Sequence, residues 1–406
     1  MAEVGLVEDG AIAVRDGRVV ATGLTGDLAK EFEAGDVIDL GGYTVLPGFV
    51  DCHTHPIFVS TRENEFHMRC AGADYMEIAQ AGGGILNSAQ TVRQASLQSL
   101  QEATLDHLQG FLGHGTTTVE AKSGYGLSTE SEIKSLQALA LAGDRSPLTI
   151  HRTFLGAHEF PLGYRETPDQ REQYVRLLID EMLPAARDLA DSCDVFAEPG
   201  VFDRDQARRV MEAAKDLGYR LRMHVDEIEP MAGAELAVEL GADSADHLAC
   251  ISLAGQEALA SSETTAVLLP GTTFFLGKTA HAPARSLMEK GCAVALATDY
   301  NPGSCHTQSM PLIITLACIL LKMTPEECIH ATTINPAASL GLDHEIGSLH
   351  PGKWADMAVL DLPGGYRGLG YTFGGNPVAM TVKRGVVVAG RLHEHGEADR
   401  LPVDGD

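Results

Sequence analysis

Two histidines follow an apolar run near the start of the chain, in the string VLPGFVDCHTH (45–55). On a β-strand, residues two apart share a face, so His53 and His55 are predicted to point in the same direction. Two imidazoles on one rigid face suit a borderline metal such as zinc or iron. An isolated HxH triplet also occurs by chance on surfaces, but this one follows an apolar run containing Pro-Gly, which favours a metal site.

Three further polar residues end apolar or β-forming runs: His224 in RLRMHVDE, His247 in SADHL and Asp299 in CAVALATDY. A helical segment over 231–240 separates the two histidines, so each can end one of two adjacent strands. A carboxylate after an apolar strand is costly to bury unless it is paired or bound to metal. Each residue alone could have a core or surface role, but polar residues at four strand ends favour one shared site.

The segments that carry these residues repeat a strand-then-helix pattern between about 45 and 342. TTTVEA precedes a predicted helix over 129–142, and PLTIHRTF precedes one over 169–190. The series continues with DVFAEP, RLRMHVDE, SADHL, AVLLP and CAVALATDY. About eight such units predict an α/β fold with a TIM-type (β/α)8 barrel, whose chemistry is placed at the C-terminal ends of the strands.

The two ends of the chain resemble each other and differ from the middle. AIAVRDGRVVATG alternates β-formers around Asp16-Gly17, and MTVKRGVVVAGR does so around Arg384-Gly385, which are hairpin signals. We predict one small β-sandwich built from both termini, with two unrelated β decorations as the alternative. The predicted domains are 1–47 and 344–406 for the two parts of the sandwich and 48–343 for the barrel.

Composition restricts the classes of partner. The net charge of -26 disfavours binding to nucleic acid or anionic membranes, which needs clustered Lys and Arg. The eight cysteines form no CxxC pair and are expected to be reduced thiols. The N-terminus lacks a basic patch followed by an apolar stretch, and the apolar run at 311–321 is too short to span a bilayer. We expect a cytoplasmic protein that binds a small molecule.

The motifs identify a family. PGFVDCHTH, the later His-His-Asp order and the tail GSLHPGKWADMAVLD resemble the amidohydrolase superfamily of metal-dependent hydrolases, over nearly the whole chain. TRENEF, EAKSGYGL, LGAHEFP, HVDEIEPMAGAELA, LLPGTTFFLGK and ATDYNPGS resemble the imidazolonepropionase family more specifically. That resemblance implies hydrolysis of a C–N bond of 4-imidazolone-5-propionate to N-formimino-L-glutamate in histidine degradation. The alternative is another cyclic-amide hydrolase or a nucleobase-type deaminase, whose substrate would need no carboxylate clamp.

The resemblance also implies a homodimer and a metal site. One Zn²⁺ or Fe³⁺ per chain would be held by His53, His55, His224 and Asp299. Binuclear relatives usually bridge two metals with a carboxylated lysine, but PLTIHRTFLGAHEF, where it is expected, contains no lysine. Lys122, one unit earlier, is the nearby candidate, and a structural or substrate-side role is the better interpretation of it.

The remaining site residues follow from the same resemblance. Glu227, three residues after His224, would transfer protons, and His247 would orient or polarise the carbonyl group under attack. The alternative for Glu227 is a carboxylate stabilised at a helix N-terminus. Arg62 would bind the substrate carboxylate, because guanidinium pairs with carboxylates in a bidentate way, although a salt bridge within TRENEF is common. Three other predicted substrate residues, each with local packing or hydrogen bonding as its alternative, are Tyr75, Tyr125 and His158. The resemblance also places Asn301, Gly303 and Ser304 in a loop near the propionate end of the substrate.

Overall fold

The computed structural model describes residues 3–73, 77 and 83–390, and its centre is an eight-stranded sheet. Every hydrogen-bonded pair of neighbouring strands in this sheet is parallel. Its strands are β4 (Phe49–Asp51), β5 (Thr116–Lys122), β6 (Thr149–Ala157), β7 (Ser192–Ala197), β8 (Arg220–Val225), β9 (Ser244–His247), β10 (Thr265–Leu268) and β11 (Val294–Leu296). The strands are largely buried on both faces, as expected when helices cover a parallel sheet. The predicted barrel is confirmed.

The two ends of the sheet meet just beyond β4 and β11, at the C-terminal ends of these strands. The Asp299 amide donates to the His53 carbonyl at 3.0 Å, and the His55 amide donates to the Tyr300 carbonyl at 2.8 Å. A further parallel bridge pairs Thr54 with Tyr300. The barrel is therefore closed by the same segments that carry three of the predicted metal ligands.

Helices alternate with the strands along the chain and pack against them. They are α1 (Thr25–Glu31), α2 (Glu63–Cys70), α3 (Ile85–Gln94), α4 (Leu97–Gly113), α5 (Thr129–Gly143), α6 (Pro168–Leu177), α7 (Leu183–Ala186), α8 (Arg204–Asp216), α9 (Gly233–Leu240), α10 (Leu253–Ala260), α11 (Pro270–Phe275), α12 (Ala284–Glu289), α13 (Met310–Leu320), α14 (Pro325–Thr332) and α15 (Ile334–Ser339). The predicted helix over 129–142 is confirmed as α5, and it begins where the Ser128 hydroxyl accepts from the Ser131 amide. In the described ranges, no helix combines the length and apolar character needed to cross a membrane.

The predicted helix over 169–190 is interrupted. A π-helical turn over Leu178–Met182 separates α6 from α7, and the helical segment ends at Ala186. Pro184 follows the turn and has no amide proton, so it cannot make the regular hydrogen bond to the carbonyl four residues earlier. The periodicity therefore predicted the element but not the change of helix type within it.

The chain termini form two antiparallel sheets. β1 (Gly10–Arg15) pairs with β2 (Arg18–Leu24), and β3 (Thr44–Pro47) joins a four-stranded sheet with β12 (Met357–Leu360), β13 (Val378–Lys383) and β14 (Val386–Gly390). Both predicted hairpins are present, and their turns, Asp16-Gly17 and Arg384-Gly385, have φ between 50° and 77°, as type I′ turns require. A shared apolar core includes Val19, Val359 and Val382, so the two sheets pack as a small sandwich.

Candidate active site

Four side chains converge at the barrel closure. The ligand-type nitrogen atoms of His53, His55 and His224 all lie within 4.8 Å of one another, and all three residues are buried. The Oδ1 atom of Asp299 lies 3.6 Å from His53 Nε2 and 3.3 Å from His55 Nε2. Three of the predicted metal ligands therefore cluster, and the Asp299 carboxylate lies beside the ring nitrogens of two of them.

This donor set fits a bound cation. His53 Nε2 faces His55 Nε2 at 3.3 Å, and the Nε2 atom of His224 is buried without a hydrogen-bond partner among the described residues. Burial lowers the pKa of His55 to about 4, although Asp299 acts in the opposite direction, so this ring is neutral at neutral pH. Burial also lowers the pKa of His53, whereas at His224 the effect of burial is outweighed by Asp194, which raises the pKa. Three imidazoles beside a carboxylate are donors that suit zinc or iron.

Buried carboxylates on two other strands, β7 and β9, contact two of these rings. Asp246 Oδ2 lies 2.6 Å from His53 Nδ1, and Asp194 Oδ2 lies 3.0 Å from His224 Nδ1. Contacts of this kind fix the tautomer of a ligating histidine and leave Nε2 for the metal. The sequence interpretation missed both aspartates, although each occupies a polar position within a strand, which is a usable signal.

Two of the predicted site residues have a strained backbone. His247 and Asp299 have φ of 78° and 52°, a region that side-chain-bearing residues rarely adopt and that costs on the order of 1–3 kcal/mol per residue. His247 is the last residue of β9, and Asp299 lies three residues after β11 ends at Leu296, so both lie where the chain turns away from the sheet. The backbone conformation at these two positions is therefore part of the geometry of the site.

Glu227 lies beside His247 rather than beside a helix. Its Oε2 atom is 3.6 Å from His247 Nδ1, and its Oε1 atom accepts from Lys278 Nζ at 3.2 Å. The helix-entry role that was the alternative for Glu227 belongs to Asp226, whose carboxylate accepts from the amides of Met231, Gly233 and Ala234. Lys278 was not singled out from the sequence, although the family-like string LLPGTTFFLGK ends on it.

Two further predicted residues border the metal ligands. The ring of His158 stacks on that of His55 with centroids 5.2 Å apart, and Tyr125 lies 5.4 Å from His158 and 6.2 Å from His55. The Nδ1 atom of His158 contacts the Gly124 carbonyl at 2.9 Å, which leaves its other nitrogen available. Tyr75, the other predicted aromatic residue, lies outside the described residues.

Arg62 and the loop after Asp299 form a second part of the site. The guanidinium of Arg62 donates twice to Glu65, through Nε at 2.8 Å and one terminal nitrogen at 2.6 Å, so the salt bridge considered as the alternative is present. The other terminal nitrogen of Arg62 faces Gly303. A Cβ atom added at Gly303 would lie only 2.1 Å from this nitrogen, so the position has no room for a side chain. Asn301 shapes this loop, because its Oδ1 atom accepts from the amides of Gly303 and Ser304.

The fold and the site define a class of protein. The model of the "Amidohydrolase family" matches residues 44–390, so the chain belongs to the amidohydrolases. The chain is also similar to 5-methylcytosine deaminase from Klebsiella pneumoniae, with a TM-score of 0.73, 18% identity and coverage of 96% of both chains. At that identity the likeness shows the fold alone.

Curated relatives narrow the class. The chain is 48% identical to the imidazolonepropionase of Geobacillus kaustophilus (strain HTA426) over 394 residues, and 45% identical to that of Alkaliphilus oremlandii (strain OhILAs) over 393 residues. Each match covers 96% of this chain and 92% of the relative. Within the amidohydrolases, the chain therefore belongs to the imidazolonepropionase family.

Proposed function

We propose that this protein hydrolyses 4-imidazolone-5-propionate to N-formimino-L-glutamate. The observation that carries the proposal is the buried His53–His55–His224 cluster in a chain of this family. Asp299 lies beside two of these rings, the His247 ring lies 5.2 Å from that of His224, and Glu227 contacts His247. In the reaction, the oxygen of water bonds to the ring carbonyl carbon, the carbonyl–nitrogen bond breaks, and the nitrogen takes up a proton. The experiment that tests it is turnover of this substrate by the purified protein.

The metal in this proposal is one Zn²⁺ or Fe³⁺, held by the three histidines and Asp299. Such an ion supplies Lewis acidity, which in the best-studied zinc case lowers the pKa of water from 15.7 to about 7. Three nitrogens and a carboxylate suit either metal. Burial alone would raise the pKa of Asp299, but hydrogen bonding and charge from His55 lower it to about 2, so this ligand is ionised across the neutral range.

Glu227 is the proposed proton carrier. It accepts a proton from the attacking water and returns it to the ring nitrogen that leaves, as general acid–base catalysis requires. Lys278 holds one carboxylate oxygen, which leaves the other directed towards His247. The Glu227 backbone is also fixed, because its amide donates to Glu198 at 2.5 Å.

His247 is proposed to act on the substrate carbonyl. Burial lowers its pKa, although the charge of Glu227 acts in the opposite direction, so the ring is neutral at neutral pH. Its Nδ1 atom faces Glu227, which leaves Nε2 for the substrate. Once Glu227 has taken up the proton of water, its carboxyl group can donate to Nδ1 of His247. The neutral ring then carries its proton on Nε2 and can donate it in a hydrogen bond to the carbonyl oxygen as negative charge develops there.

The carboxylate tail of the substrate is assigned to Arg62 and the loop of Asn301, Gly303 and Ser304. Glu65 uses two nitrogens of the guanidinium and thereby fixes its plane, while the third faces Gly303. A guanidinium oriented in advance loses little side-chain entropy when it binds a carboxylate. Tyr75, Tyr125 and His158 are proposed to line the ring of the substrate.

Arg62→Met is expected mainly to raise KM, because the carboxylate contact persists from the ground state to the transition state. The loss is about 1.5–3 kcal/mol, the usual range for a hydrogen bond to a charged group. Steady-state kinetics with the substrate and with an analogue carrying a carboxamide tail provides the check. The variant should lose discrimination between the two compounds; a large fall in kcat with unchanged KM would rule out the clamp.

Lys278→Met is expected to lower kcat about fivefold with little change in KM, because a partly exposed ion pair contributes up to about 1 kcal/mol. Lys278→Arg should restore most of the rate, since it retains the charge next to Glu227. Lys290→Met, which removes an exposed lysine at the end of α12, is the matched control and should behave as the parent protein. Equal kinetics for Lys278→Met and Lys290→Met would show that Lys278 does not support Glu227.

We also propose, from the family resemblance, that the protein is a homodimer in the cytoplasm. All eight cysteines are free thiols, and the pair with hydrogen-bonding sulfur atoms, Cys318 and Cys328, has its Sγ atoms 3.8 Å apart without a bond. Reduced thiols are typical of that compartment. Light scattering of the purified protein should give twice the chain mass of 43.2 kDa.

A further inference from the structure

We propose that Lys122 is a positioning residue of the metal site, linking two carboxylates that orient separate halves of the ligand set. The inference rests on the proposed function only in taking His53, His55 and His224 as metal ligands. It gives a defined role to a lysine that the sequence left between a structural and a substrate-side assignment.

Lys122 is a fully buried cation at the end of β5. Its Nζ atom lies 2.8 Å from Glu120 Oε1 and 2.8 Å from Asp194 Oδ2, and all three side chains are inaccessible to solvent. Burying three charges is costly unless each has a partner in good geometry. Such an arrangement is therefore expected to hold its members in fixed positions.

Glu120, one of the two carboxylates of this cluster, contacts the segment after β4 that carries His53 and His55. The backbone amide of Thr54, between these two histidines, donates to Glu120 Oε2 at 3.2 Å. The Thr54 hydroxyl donates to the Glu120 carbonyl at 2.6 Å, and the Lys122 amide donates to the Thr54 carbonyl at 3.0 Å. The amide, the carbonyl and the hydroxyl of Thr54 are therefore all hydrogen-bonded to β5, which fixes the segment between the two histidines.

Asp194, the other carboxylate of the cluster, contacts His224. Asp194 Oδ2 contacts both Lys122 Nζ and His224 Nδ1, at 2.8 Å and 3.0 Å. A carboxylate at Nδ1 holds the ring with Nε2 directed at the metal position, and its own place is held by the ammonium group. Loss of Lys122 would leave Glu120 and Asp194 without their shared cation and free to move, together with the ligands they orient.

The same ion pairs argue against a bridging role for Lys122. A carboxylated lysine is an anion, and its formation would convert the one cation of the cluster into a third negative charge beside Glu120 and Asp194. Like charges at such distances in a buried site repel strongly. The geometry therefore assigns Lys122 to the support of a mononuclear site.

The test is the zinc affinity of the folded protein, measured by competition with a chromophoric chelator after removal of bound metal. Lys122→Met is expected to bind zinc about 10- to 100-fold more weakly, the range for residues that orient metal ligands. Asp194→Asn should show a loss of the same size, and it remains informative if Lys122→Met does not fold. Because both act through one linkage, the double variant should lose less than the product of the two single effects.

The matched control is Lys383→Met. Lys383 is also buried and ion-paired, at 2.6 Å to Asp356, but it lies in the small four-stranded sheet. Its variant should have a lower melting temperature and zinc affinity within threefold of the parent protein. Zinc affinity within threefold of the parent in Lys122→Met or Asp194→Asn, or an equal loss in Lys383→Met, would overturn the assignment.

No substrate enters this experiment, so its outcome is separate from that of the proposed activity. A parent protein that binds zinc tightly but does not turn over imidazolonepropionate would refute the proposed reaction and leave the role of Lys122 standing. If the parent protein turns over the substrate while Lys122→Met keeps full zinc affinity, the role of Lys122 is refuted and the proposed reaction stands.

Discussion

Glu227→Gln is expected to lower kcat by roughly 10²–10⁴-fold, the usual contribution of a general acid–base group. The change is nearly isosteric, and Glu227 is not among the four predicted ligands, so fold and metal content should be retained. Substrate affinity should change less, because the amide can still form hydrogen bonds. Rapid-mixing kinetics and metal analysis on the same preparation measure both quantities.

Glu229→Gln is the control for this substitution. Glu229 lies two residues further on, and its amide, like that of Glu227, donates to Glu198. Among the described contacts, those with His247 and Lys278 belong to Glu227 and not to Glu229. Its variant should retain kcat. Near-normal kcat in Glu227→Gln with full metal content would mean that the proton travels through His247 or Asp299 instead.

His224→Ala is expected to remove metal and activity together. The side chain belongs to the buried cluster of three histidines that is proposed to hold the metal, and its loss also leaves Asp194 without the ring it contacts. Elemental analysis of the parent protein should give one metal per chain, and the variant should give close to none. Activity should fall in proportion to the metal content.

The control for His224→Ala is another buried histidine. His151 lies on β6, its Nε2 atom contacts the Ser192 hydroxyl at 2.6 Å, and it is not among the four predicted ligands. His151→Ala should lower the free energy of unfolding by a few kcal/mol at most and leave the metal stoichiometry unchanged. Two metals per chain in the parent protein, or metal retained in His224→Ala, would contradict the mononuclear site.

The strands and hairpins could be predicted because their signals are local. An apolar run that ends in a polar residue, such as the run before Asp299, predicts a buried strand. It also predicts that the site lies at the C-terminal end of that strand. Turns of the Asp16-Gly17 type set the register of a hairpin through backbone conformation alone. The π-helical turn over Leu178–Met182 could not be predicted, because its hydrophobic spacing is close to that of an α-helix.

The supporting residues of the site could not be assigned because their partners lie on other strands. Asp246 contacts His53 across 193 residues of sequence. Lys122 is on β5 and Asp194 is on β7, and they meet across β6 because side chains from alternate strands of a barrel share one interior layer. Barrel register decides such pairs, and register is not readable from one strand at a time. By contrast, Arg62 and Glu65 are three apart, and their salt bridge was foreseen as an alternative.

The most direct test of the central claim is turnover of 4-imidazolone-5-propionate, followed by its ultraviolet absorbance, with metal-loaded and chelator-treated protein. The metal-loaded protein should consume the substrate and release N-formimino-L-glutamate. The chelator-treated protein should be inactive until Zn²⁺ or Fe³⁺ is restored. Absence of turnover in protein that carries one metal per chain, or turnover that survives complete metal removal, would contradict the account.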